Sequence, residues 1–96
     1  MTHKSRVKQD LPAQEPIPML RWVFLRDLRA ITCKVDFTAD KQYDVSVVPH
    51  WDVSASAIER FDSAPRALER HAQFTVSLRE AGWKVIHHGL VGNAAA

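Results

Sequence analysis

Between residues 31 and 47 apolar and polar side chains alternate so regularly that a half-buried sheet is the one regular structure that fits. Ile31, Cys33, Val35 and Phe37 are separated by Thr32, Lys34 and Asp36, and Tyr43, Val45 and Val47 by Asp44 and Ser46. A period of two places each apolar set on one face of a strand, whereas a helix would scatter it. The polar stretch Thr38–Gln42 joins the runs, and a connector of that length predicts an antiparallel hairpin with strands over 30–38 and 42–49.

The flanks extend the same sheet. Arg21–Arg26 reads as a strand because Trp22, Val23 and Phe24 suit a pleated surface. A short helix is its rival, since Trp22, Leu25 and Leu28 also share helical spacing. Residues 53–61 read as a fourth strand, with a bulge where the alternation breaks at Ile58-Glu59. Residues 63–81 form the clearest helix: Asp62 or Ser63 supplies the N-cap, Pro65 lies in the first turn and Gly82 stops it. Its apolar stripe gathers Ala64, Ala67, Leu68, His71, Phe74, Thr75, Leu78 and Ala81. Trp83–Ile86 can return as a short final strand.

Strands followed by a covering helix define an α+β fold: a three- or four-stranded antiparallel meander packed on one C-terminal helix. The chain divides into a basic arm at 1–19, one domain over 20–88, and a tail at 89–96. Pro12, Pro16 and Pro18 bias the arm toward extended, disordered backbone. The tail carries two glycines and three alanines with nothing to bury, so it should be flexible.

Arg60-Phe61-Asp62-Ser63, Ala67, Arg70-His71-Ala72 and Leu78-Arg79-Glu80-Ala81-Gly82-Trp83 together resemble small uncharacterised bacterial proteins. In those, a few strands precede a helix that ends in a similar glycine-tryptophan. The resemblance spans residues 20–86, rests on packing and capping patterns, and carries no activity with it. The strand–strand–strand–helix order is also similar to several small DNA- and RNA-binding modules, an analogy of fold alone.

Charge and cysteine content narrow the function classes. Residues 1–30 hold six cations against three acids, and residues 31–96 seven against eight. A net charge of +2 is too small to mark a nucleic-acid binder by itself. Cys33 is the single cysteine, so no intrachain disulfide forms, which favours a reducing cytoplasm. No run approaches the ~18 apolar residues of a membrane span.

The five histidines, His3, His50, His71, His87 and His88, lack the spacing of a metal-binding pair, so neither metal nor other cofactor is expected. The glycines, Gly82, Gly89 and Gly92, all fall late, which leaves no phosphate-cradling loop, and no nucleophile stands beside a base at fixed spacing. His71, in the middle of the helical stripe, is either a satisfied core histidine or a general base at a pocket between helix and sheet. By parity Cys33 points into the core. These features favour a non-enzymatic module that self-associates as a homodimer or docks on a protein, because one helix cannot cover both faces of the sheet. The alternative is a nucleic-acid-binding regulator using the basic arm and the sheet face. For either, the candidate surface is Arg21, Arg26, Arg29, Lys34, Trp51 and Arg60, with Trp51 marked as partly exposed after Pro49-His50.

Overall fold

Alternation extends beyond the central hairpin in the computed structural model, which describes residues 16–90. β1 spans Ile17–Arg26, β2 Arg29–Phe37, β3 Tyr43–Pro49, β4 Ala57–Phe61 and β5 Lys84–Leu90. The helix α1 spans Ala64–Glu80 and separates β4 from β5. All pairings are antiparallel and the spatial order is β4-β3-β2-β1-β5. The first four strands are therefore a meander, and α1 returns the chain to the opposite edge. This is the α+β architecture expected from the sequence, with the final strand realised. Residues 1–15 of the expected arm and 91–96 of the expected tail lie outside the described residues.

Three boundaries differ from expectation. β1 begins at Ile17 rather than Arg21, since its first residues pair with Phe37 to Val35; the register shifts between Pro18 and Leu20, where a proline without a donor fits a strand start or bulge. β5 runs to Leu90, with Gly89 opposite Arg21 and Leu90 opposite Leu20, where a tail was expected. Val53–Ala55 is a single 3-10 turn instead of strand. There the Ala55 and Ser56 amides donate to the Asp52 and Val53 carbonyls at 3.0 and 3.1 Å, and Ser56 Oγ adds a bond to the Val53 carbonyl at 2.6 Å, local bonds that take the backbone out of a ladder.

The helix-facing side of the sheet is built from cross-strand rows. Leu20, Val35 and Val45 form one, Trp22, Cys33 and Val47 the next, and Phe24 pairs with Ile31. Val35 and Val45 pack against Ala67 of α1, with Leu20, Tyr43, Phe61 and Phe74 around them. Ser63 caps α1 by accepting from the Arg66 amide at 3.3 Å, and Gly82 leaves it with φ 97°. Ala67, His71 and Thr75 are the buried helical positions, so the inner face is narrower than the expected stripe; Leu68, at its margin, stays 41% exposed.

The other face of the sheet has no covering layer among the described elements. Its rows read Arg60–Asp44–Asp36–Pro18, then Ile58–Ser46–Lys34–Arg21, then Val48–Thr32–Val23–His87. The sequence alternation thus places a mixed polar surface opposite the core.

Candidate interaction surface

The turn between β1 and β2 is the two-residue loop Asp27-Leu28, with Arg26 paired to Arg29 across it. Both loop residues have positive φ, 51° and 67°, as a type I′ hairpin turn requires. Asparagine, aspartate and glycine tolerate that geometry. Leucine does not, because its Cβ approaches the following carbonyl. Leu28 is nonetheless 96% exposed and so buries almost nothing in its own chain.

Beside this turn stands an aromatic group. Trp51, just beyond β3, stacks on Trp83, which follows α1, with ring centroids 6.1 Å apart and planes at 11°. The Arg29 guanidinium carbon lies 5.1 Å from the Trp51 ring centre, a cation–π contact. Trp51 remains 48% exposed, as the sequence led us to expect for it, and Val53, two residues on, is 64% exposed. The register of the β1–β2–β3 hairpins brings Arg29 to Trp51, since the His50 amide donates to the Ala30 carbonyl at 2.9 Å. Arg26 lies close by, its Nε 3.7 Å from Asp27, and its side chain is the nearest neighbour a Cβ on Gly82 would meet.

Of the candidate cations, the structure gathers Arg26 and Arg29 with Trp51 at this end. Arg21 and Lys34 lie elsewhere, directly opposite one another on the uncovered face. Arg60 is consumed by acids: its Nε donates to Asp44 at 2.9 Å and its Nη1 to Asp40 at 3.1 Å. The hydrogen bond and charge of Asp44 hold the Arg60 guanidinium more firmly protonated than usual. Leu28, Val53 and Trp83 were not among the candidates. Leu28 gave no sign because the left-handed turn depends on strand boundaries that the composition of residues 26–29 leaves open.

His71 is buried between α1 and the sheet. Its Nε2–H donates to the Cys33 carbonyl at 3.1 Å, and the ring meets Trp22 edge-on at 5.8 Å and 77°. Burial holds its pKa below the ordinary value, only partly offset by that backbone bond. Cys33 is also buried, and desolvation pushes its thiol up to about 11, which leaves it unreactive. Among the described residues no three His, Cys, Asp or Glu side chains converge as metal ligands, and no helix is long and apolar enough to cross a membrane. In comparisons with known proteins, the chain matches no family model, no curated protein and no solved structure.

Proposed function

We propose that the chain is a small, non-enzymatic, cytoplasmic interaction module of bacterial type that self-associates through the Leu28–Arg29–Trp51 end of its sheet. The observation that carries this reading is Leu28: a large apolar side chain, 96% exposed, at a backbone position that penalises it. Strain of that kind persists where a side chain works outside its own fold. Around it stand tryptophan and arginine, the residues that dominate protein–protein binding energy, with Trp51 held in place by Trp83 and Arg29.

The partner of choice is a second copy. Arg26 and Arg29 share the surface with Asp27, 86% exposed at its side chain, and Asp52, so a twofold axis sets cations against acids from the same patch. Sedimentation of the full chain over a concentration series tests this. The expected result is a monomer–dimer equilibrium that Trp51→Ala weakens roughly a thousandfold, since a hot-spot loss of about 2 kcal/mol falls on both copies of a twofold interface. A monomer at every concentration would refute it.

The Arg29–Trp51 pairing also favours a second reading, single-stranded nucleic acid on an aromatic platform beside cations. Asp27 and Asp52 weigh against it. Salt-sensitive quenching of tryptophan fluorescence by oligonucleotides would support that reading, and its absence at low salt would remove it.

A further inference from the structure

The uncovered sheet face contains a hollow of about 330 Å³ whose lining includes Arg21, Thr32, Lys34, Asp36, Val48 and His50. Arg21 and Lys34 are direct cross-strand partners, an arrangement of like charges that is unfavourable in a sheet and that an anion placed between them offsets. Lys34 is partly offset by Asp36, 3.6 Å away. Arg21 has no carboxylate within salt-bridge distance among the described residues. Among the described residues the lining thus sets two cations, Arg21 and Lys34, against one acid, Asp36.

Its floor adds a directional donor. Thr32 is buried, and its Oγ1 lies 2.7 Å from His50 Nε2. If the hydroxyl donates to Nε2, the neutral ring carries its proton on Nδ1; if Nε2–H donates, the hydroxyl proton is free. Only the second arrangement keeps a free O–H donor on Thr32, and it is the one a bound anion would select. A guanidinium, an ammonium and a neutral donor around one cavity suit a tetrahedral anion that accepts from several directions. Asp36 at one end repels a second anionic group but accepts from hydroxyls, and Val48 offers an apolar wall. The volume sits at the small end of ligand pockets, which span about 300–1,000 Å³.

The geometry points to a binding site for a small phosphate monoester, with the phosphate held by Arg21, Lys34 and the Thr32–His50 pair. This is a different face from the Leu28–Trp51 surface and does not depend on the self-association reading.

The test is an amide-resolved NMR titration of the full chain at constant ionic strength with inorganic phosphate, glycerol 3-phosphate, glycerol and a short oligothymidylate. Binding by the site shifts Arg21, Thr32, Lys34 and His50 with the first two probes and not with glycerol. Arg21→Ala weakens that binding about tenfold, the scale of one charge-assisted contact, and Lys34→Gln does likewise. Because Arg21→Ala also removes a repulsion, the ligand-free melting temperature of the variant stays level or rises. Shifts spread over all surface cations would overturn the proposal, as would unchanged phosphate binding by both variants or a lower melting temperature for Arg21→Ala. Oligothymidylate that shifts the same residues at lower concentration than the monoester would assign the site to nucleic-acid backbone and also overturn it.

Discussion

Replacing Leu28 by glycine should make the protein more stable and less able to associate, two effects that rarely travel together. The side chain is 96% exposed, so deleting it forfeits almost no burial within the chain. Its φ of 67° is left-handed, which costs a residue with a Cβ about 1–2 kcal/mol. Glycine relieves that strain but enlarges the unfolded ensemble, a loss of roughly 0.4–1 kcal/mol. The net gain is about 0.5–1 kcal/mol, or roughly 3–6 °C in melting temperature for a domain of this size. It would also turn the loop into Asp-Gly, a favoured type I′ dipeptide. Thermal and urea unfolding followed by circular dichroism read the stability, and sedimentation reads association. Leu28→Ala separates the two terms, since it keeps the strained backbone and should leave stability level while still weakening the dimer. Because loss of a dimer by itself lowers apparent stability, unfolding is read at a concentration where the wild-type chain is monomeric. A drop in stability for Leu28→Gly there would refute the reasoning, because it would mean that the leucine packs within its own chain.

Other perturbations probe the core and the aromatic group. Phe24 is the largest fully buried side chain among the described residues, and Phe24→Ala should cost about 3–5 kcal/mol, a large part of the roughly 5–10 kcal/mol expected for a small domain. Cooperative urea unfolding measures it. A double-mutant cycle of Arg29→Ala and Trp51→Ala should return a coupling of about 0.5–1 kcal/mol, the worth of an exposed cation–π contact, and zero coupling would deny that the two side chains meet. His71 predicts an acid sensitivity. Its folded pKa lies below the usual 6.5, so below about pH 6.5 the unfolded state binds a proton that the folded state refuses. Stability therefore falls as the pH drops through that value, until the folded ring itself titrates. His71→Leu should remove this component, so wild type loses ground to the variant between pH 7.5 and pH 5.5; a stability difference that stays constant would contradict it.

The fold was readable where one physical constraint dominated. Ile31 to Val47 alternate because one face of the sheet is dry, and Ser63, Pro65 and Gly82 delimit α1 through local geometry that sequence carries directly. Local signals are silent where a nonlocal partner decides. Ile17 to Leu20 enter β1 because Val35 to Phe37 offer an unpaired ladder, and Gly89 and Leu90 extend β5 because β1 already reaches that far. Conversely, Val53 lies in a segment that reads as strand, but its carbonyl and that of Asp52 are taken by local bonds from Ala55 and Ser56. The candidate surface was half legible. Trp51 stood out as an aromatic outside the periodic segments, yet its meeting with Arg29 and Trp83 joins three points far apart in sequence, and only the register of two hairpins and the exit of α1 bring them together.

Register also separates the two proposed surfaces, and that separation is itself testable. Arg29 shares its parity with Ile31, Cys33 and Val35 and so belongs to the helix-covered side of β2, whereas Thr32, Lys34 and Asp36 face the other way. Because successive residues of a strand point to opposite faces, a ligand over Lys34 and a partner over Arg29 do not compete for the same side chains. Leu28→Gly should then leave the phosphate-induced shifts at Arg21 and Lys34 within twofold of wild-type affinity, and Arg21→Ala should leave the dimer constant equally unchanged. Reciprocal loss, in which either variant abolishes both properties, would mean that a second copy completes the hollow and that the two surfaces are one linked site.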